Sequence, residues 1–557
     1  MSGGGRRKVE SRSSSSSIST AFANLERFVN SSLKMNGTPG LSLAVSDRER
    51  TLRKMSFGYS DIAAKKPVTS DTLFKIASIT KSFTSIALLK LREEGKIDLN
   101  LPATEFLPWF EVKSNYAPIT LHHLMTHTSA IMEGAFASPY MRTEVWALRN
   151  LQTSTKPGKY FHYSDVGYSI LGLVLEEVEG VRYGEVIRKR IFEPLGMCSS
   201  SAFVGVEPPK GMAVGYGPIP DDRPLKRAGP LVAVPWFEME DSAGSIVSSA
   251  KDMSVYLRML LNEGKGPRGR ILSEESFDLL TRAYAKADYS TAWGGRHYGY
   301  GLSVGKVGGH KWIGHGGGVP SFGFISGILA DLDDGLAAVA LANGPAETWE
   351  MTPAAVRAVQ AARAGKSLPQ LRVTNPRIIE NAAEYTGKYV SDRDSFHITA
   401  KSGGLLLRRG KETAPLEKRE EAAFQTDHPD FRNFLLRFNG QEEKVVEAFS
   451  GGRVYARAPR SGHQTYEHPQ EWQSFVGHYR SSKVLITNFR VFLRKGGLYM
   501  AEYIGDSEPP LVPMPDGSFR VGQDPKAPER IRFDWIVDGK ALKAEMNGAG
   551  YYRSFSE

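Results

Sequence analysis

Two stretches about 90 residues apart spell the same short pattern. Tyr385-Thr386-Gly387-Lys388-Tyr389 recurs as Phe475-Val476-Gly477-His478-Tyr479, and Gly403-Gly404-Leu405 recurs as Gly496-Gly497-Leu498. Phe438 and Tyr455 match Phe533 and Tyr551. Such a period is too long for a solenoid unit and suits two copies of a small domain. Within each copy, short strand-like runs alternate with Gly, Asp and Asn turns, as in an antiparallel barrel. Barrels are therefore expected over 381–460 and 471–557, with a linker at 461–470 whose joint is His463 to Gln470. A first linker, 366–380, contains Pro369 and Pro376. The larger domain must then lie upstream, over 20–365.

That domain reads as α+β. The Gly-, Ser- and Arg-rich start lacks the apolar core of a secretory signal, so residues 1–19 are expected to be a disordered tail. Ser19 or Thr20 caps a first helix with Phe22, Leu25, Phe28, Val29 and Leu33 on its apolar face. Leu41 to Val45 alternates like a strand, and Met55 to Tyr59 is its expected partner. Two more strands, Gly323 to Leu329 and Leu336 to Leu341, flank a turn at Asp333-Asp334-Gly335. A helix from Glu347 to Ala364 closes the domain. Helix, then strands, then helix implies layers of helices on an antiparallel sheet and not βαβ units.

Composition narrows the function. The net charge is +10, but basic residues beyond Arg6, Arg7, Lys8 and Arg12 are interspersed with acids and no nucleic-acid motif stands out. No apolar run approaches about 20 residues, so no membrane partner is expected. Cys198 is the only cysteine, which excludes an intrachain disulfide and fits a cytoplasmic location. His123 and His127 have metal-ligand spacing, but Leu124 stands where H-E-x-x-H needs glutamate. One packed and one solvated histidine are expected, with no metal and no cofactor.

The chemistry centres on Phe74 to Lys81. Ser78 opens a helix and Lys81 lies three residues on, on the same face, so the amine can reach the hydroxyl. The helix N-terminus also favours developing negative charge. The same spacing occurs at Ser31/Lys34, Ser248/Lys251 and Ser303/Lys306. Context separates Ser78: Phe83, Ile86, Ala87 and Leu91 place a buried helix behind it, with Gly95 as its stop. Tyr163 lies on a polar-aromatic loop before a helix over Val166 to Glu177. A phenol near an ammonium loses its proton more easily and can serve as a general base. Ser248 or Ser249 reads as a helix cap. Gly301-Leu302-Ser303-Val304-Gly305 matches a hydrolase elbow, but the turn that follows replaces the helix an elbow requires. His315-Gly316-Gly317-Gly318 is a glycine run beside a strand, where a backbone N–H can face an oxyanion.

Ser78/Lys81, Tyr163-Ser164-Asp165 and His315-Gly316-Gly317 occur in that order. Leu124-Met125-Thr126-His127-Thr128-Ser129 and Ala243-Gly244-Ser245-Ile246-Val247-Ser248 echo the same pattern. Over roughly residues 20 to 365 the chain resembles the serine β-lactamase and penicillin-binding-protein superfamily, most closely the class C-related esterases and D-aminopeptidases. The resemblance implies a β-lactamase/transpeptidase-like domain, here followed by the two barrels. It implies Ser78 as nucleophile, Lys81 and Tyr163 sharing the base task, and the N–H groups of Ser78 and Gly318 as the oxyanion hole. Asp165, His315 and Gly317 complete the expected substrate side.

Two departures stand out. Asp165 replaces the family's usual asparagine, and an acid there holds Lys81 protonated and shifts work to Tyr163. His315 replaces a lysine and is mostly neutral at pH 7. Both point away from β-lactams and toward small esters or D-amino-acid amides and peptides. The expected activity is a serine hydrolase with an acyl-enzyme. Acyl transfer by the same nucleophile and a catalytically silent binding protein are the alternatives. The partner is a small ester or amide substrate, and a homodimer is left open.

Overall fold

The computed structural model describes residues 5–136, 138–287, 294–319, 323–441, 444–458, 466–483, 486–503 and 506–555. They form two compact units, one from Met1–Gly217 with Leu231–Val373 and one from Pro218–Pro230 with Thr374–Glu557.

The first unit is built on a nine-stranded sheet. Its centre runs Ser303–Val307, His310–Val319, Phe324–Asp331, Leu336–Ala342, Gly40–Asp47 and Thr51–Asp61, all antiparallel. Gly40–Asp47 alternates in sequence as expected, yet seven of its eight residues are buried, because both faces are covered. The helices Gly5–Asn36 and Thr348–Arg363 pack on one face, where Leu25, Val29, Leu43, Val45, Met351 and Val359 share a core. Helix Ala250–Leu261 lies against Gly40–Asp47 and Leu336–Ala342, capped by Ser249, whose hydroxyl accepts from the Asp252 N–H at 3.1 Å.

Two sequence expectations need correction here. Helix Gly5–Asn36 begins well before Ser19, so the segment expected as a disordered tail is helical from residue 5. Once Leu25, Phe28 and Val29 dock, each further residue needs only propagation, which is far easier than nucleation. Pro218–Pro230, expected inside the larger domain, groups with the second unit. Ser303 opens a strand that ends in a Gly308-Gly309 turn, so no elbow exists there.

The second unit holds the two nearly closed barrel sheets, of nine and eight strands. The repeat is visible residue by residue. Tyr389 and Tyr479 each donate to a carbonyl four residues back, Tyr385 and Phe475, at 2.8 Å. Phe438 pairs with Ala448 and Ala448 with Tyr455, as Phe533 pairs with Ala544 and Ala544 with Tyr551. Ser402-Gly403 and Lys495-Gly496 both turn through left-handed backbone. Of the joint expected at His463 to Gln470, residues 463–465 lie outside the described residues. Among the described residues no helix is long and apolar enough to cross a membrane.

Candidate active site

The strand Leu73–Lys75 runs directly into a tight turn, Ala77–Ile79, and then into helix Thr80–Glu93. Ser78 sits in that turn, two residues before the α-helix the sequence predicted it to open. Ala77 holds φ +46, a left-handed conformation that costs a non-glycine residue of order 1 kcal/mol. The turn aims Ser78 at Lys81, whose side chain is fully buried. Lys81 Nζ lies 3.1 Å from Ser78 Oγ, 3.0 Å from the Ala243 carbonyl and 2.5 Å from Asp165 Oδ1. An ammonium has three N–H donors, and three acceptors surround it.

Asp165 arrives on helix Asp165–Glu179. Ser164 caps that helix by accepting from the Gly167 N–H at 3.0 Å and donates to the Met132 carbonyl at 2.7 Å. The cap sets the chain direction so that Asp165 and Tyr163 reach the same space from either side of Ser164. Lys81 Nζ is 4.9 Å from the centre of the Tyr163 ring. Hydroxyl, amine and phenol, drawn from distant parts of the chain, therefore converge.

The glycine run forms the opposite wall. On the strand His310–Val319, Gly317 passes so close to the Ser78 turn that a Cβ would stand 2.4 Å from the Ile76 carbonyl and 3.0 Å from Ser78 N. Gly318 has φ +105, and a Cβ there would meet the Phe324 carbonyl at 2.0 Å. Only glycine fits either position. Ser326, opposite Gly317 in the sheet, donates to the Ile76 carbonyl at 2.7 Å and ties strand to turn.

His315 is buried, and that burial, with the Lys81 charge, pushes its pKa down to about 4. It is neutral at pH 7. Its Nδ1–H donates to the Gly316 carbonyl, so Nε2 accepts from the Tyr298 hydroxyl at 2.9 Å. Both ring nitrogens are engaged within the protein.

Several residues here were not singled out as site residues from sequence. The segment 241–246 braces helix Thr80–Glu93. Thr84 donates to the Ser242 carbonyl at 2.7 Å, and the Ile246 N–H donates to Thr80 Oγ1 at 3.2 Å. Asp241 Oδ1 accepts from Ser169 Oγ at 3.0 Å and from the Ala243 N–H at 3.1 Å. Burial first, and Asp165 in addition, push the Asp241 pKa up to about 6. The only hint was the Ala243-Gly244-Ser245 echo. His127 is fully buried, and His123 is half-buried with its Nδ1 accepting from the Thr120 N–H at 3.2 Å.

Comparisons with known proteins bear on the family and the fold. Protein flp of Staphylococcus aureus is 27% identical over 248 residues, covering 43% of this chain and 48% of its own length. The chain thus spans about half the length of that relative. Protein Rv1367c of Mycobacterium tuberculosis is 31% identical over 302 residues, covering 48% of this chain and 74% of that protein. Among solved structures, the octameric penicillin-binding protein homologue from Pyrococcus abyssi aligns with a TM-score of 0.57 at 27% identity, over 78% of this chain and 100% of that one. The D-amino acid amidase of Ochrobactrum anthropi shares the fold at 24% identity and a TM-score of 0.52, over 62% of this chain and 99% of that one. The Beta-lactamase family model matches residues 25–363, the stretch that carries Ser78, Lys81, Tyr163 and the glycine run, and the chain belongs to the beta-lactamase family.

Proposed function

We propose that this chain is a serine hydrolase that forms an acyl-enzyme on Ser78 and acts on small esters or D-amino-acid amides and peptides. The observation that carries the reading is the 3.1 Å contact between Lys81 Nζ and Ser78 Oγ, with the amine clamped by two further acceptors. An ammonium so held positions the hydroxyl and favours the negative charge that develops on it. With Asp165 Oδ1 2.5 Å from its amine, Lys81 is held against Ser78, and the phenolate of Tyr163 takes the Ser78 proton. Ser78 Oγ then bonds to the substrate carbonyl carbon. The N–H groups of Ser78 and Gly318 receive the oxyanion, and the leaving alcohol or amine departs with the proton held by Tyr163. Water, deprotonated by the same phenolate, releases the acid and restores Ser78.

The substrate reading draws on two supports. His315 is neutral and internally bonded, so it offers no cation to a substrate carboxylate. A D-amino acid amidase and a hydrolase with promiscuous acyltransferase activity share the fold. A fluorophosphonate probe tests the nucleophile: wild type labels and Ser78→Ala does not. Equal labelling of both removes Ser78 as the nucleophile, and no labelling of the wild type overturns the reading in favour of a silent binding protein. A panel of D- and L-aminoacyl amides and short esters, with and without added alcohol or amine, then separates hydrolysis from acyl transfer. Nitrocefin turnover matching ester turnover would count against the substrate class.

A further inference from the structure

His127 is bonded on both sides of Tyr163. The His162 N–H donates to the His127 carbonyl at 2.7 Å, and the Ser164 N–H donates to His127 Nδ1 at 3.0 Å. The two residues flanking the phenol, His162 and Ser164, are thus both held by one residue, 37 positions upstream of Ser164. The imidazole also lies along the phenol ring itself, centroids 4.3 Å apart and tilted by 34°. To do both, His127 adopts φ +55, a strained backbone for a residue that is not glycine.

The chemistry of the ring is set by these contacts. Because Nδ1 accepts a hydrogen bond, the neutral imidazole carries its proton on Nε2. A second proton on Nδ1 would face the Ser164 N–H donor and break the contact. Burial, then the charge of Lys81, hold the His127 pKa well below its usual value. Nε2 is buried with no hydrogen-bond partner among the described residues, and the imidazole packs among the rings of Tyr298, Tyr168 and Phe161, with centroids 4.7, 5.1 and 5.8 Å away. A buried donor left unpaired is costly, and strain is added to it. Packing alone would be better served by an apolar ring, which has no N–H to leave unpaired. A phenylalanine could not accept from Ser164.

We infer that His127 is the positioning residue for Tyr163, an imidazole that holds the phenol against Lys81. The inference rests on the proposed serine-hydrolase reading, because it assigns a partner to that site's base. His127 itself exchanges no proton with substrate. The titratable groups around Tyr163 are Lys81, Asp165, His127, His162, His315, Tyr168 and Tyr298, and among them His127 is bonded to both residues that flank the phenol.

Two variants separate the contacts. His127→Phe keeps a ring against Tyr163 and removes the acceptor, whereas His127→Asn places an amide oxygen near Nδ1 and removes the ring. Fluorophosphonate labelling rates are measured from pH 6 to 10, with circular dichroism confirming the fold. For His127→Phe the maximal rate falls about 100-fold, and the pH of half-maximal rate rises as the phenol drifts from the ammonium. For His127→Asn the loss is within about 10-fold. A second readout is the titration of Tyr163 followed by NMR of ring-labelled tyrosine, assigned with Tyr163→Phe. Its midpoint rises in His127→Phe. Wild-type rate and profile in His127→Phe, or losses in both variants with no change in profile or midpoint, overturn the inference. If the wild type does not label at all, the hydrolase reading fails. The Tyr163 midpoint then decides the positioning role alone, which is sunk if that midpoint does not move.

Discussion

Asp241 shows how much one buried carboxyl can report. Burial first and then Asp165 raise its pKa to about 6, from 3.8 when free. A native carboxyl with a raised pKa binds more protons than the unfolded chain between those values. Stability therefore falls as pH rises from about 4 to about 6 and stays lower above that. Asp241→Asn keeps an oxygen for Ser169 and the Ala243 N–H but cannot ionise. Urea midpoints taken from pH 4 to 7 are expected to drop for wild type relative to Asp241→Asn, and parallel curves would refute this. Lys81 illustrates the same scale from the other side. Sequence showed that Ser78 and Asp165 were candidates to meet it, but the Ala243 carbonyl, 162 residues away, is a backbone atom with no signature of its own.

At the scale of elements, the site depends on a strand passing a turn. His310–Val319 approaches Ala77–Ile79 closely because Gly317 has no side chain. Gly317→Ala puts a carbon 2.4 Å from the Ile76 carbonyl, well inside contact distance. The strand must withdraw, taking Gly318 with it. Labelling of Ser78 should then fall about 100-fold, as when an oxyanion donor is lost, with a stability loss of about 2 kcal/mol. Unchanged labelling in a folded variant would remove Gly318 from the oxyanion hole. The glycine run was readable as a close-approach strand. Which backbone it approaches was not, since the Ile76 carbonyl and Gly317 are brought together only by the sheet order.

For the whole molecule, the second unit is the instructive part. Asp221, from the segment Pro218–Pro230, accepts from Arg480 at 2.8 and 2.9 Å and from Thr487 at 2.9 Å. Asn488 donates to the Asp221 carbonyl at 2.9 Å. A 13-residue stretch of the upstream chain is thereby part of the fold around the second barrel. The ion pair is partly exposed, so Asp221→Ala should cost only about 1 kcal/mol. Calorimetry should show one transition, that of the second unit, moving down by a few degrees while the other holds its position. Equal shifts of both transitions, or of neither, would refute the assignment.

By itself the sequence determined what is local or periodic. The 90-residue echo specified two barrels because each copy must bury its own Tyr and Phe set. The run at Ser78 specified the approach of amine to hydroxyl because residues three apart share a face of a helical turn. Tertiary structure decided what depends on backbone atoms far apart in the chain. It brought His127 around Tyr163 and Ala243 onto Lys81, and it drew Pro218–Pro230 into the second unit. Such contacts are made by carbonyls, amides and single buried rings, whose partners are chosen by the path of the chain and not by the identity of their neighbours in sequence.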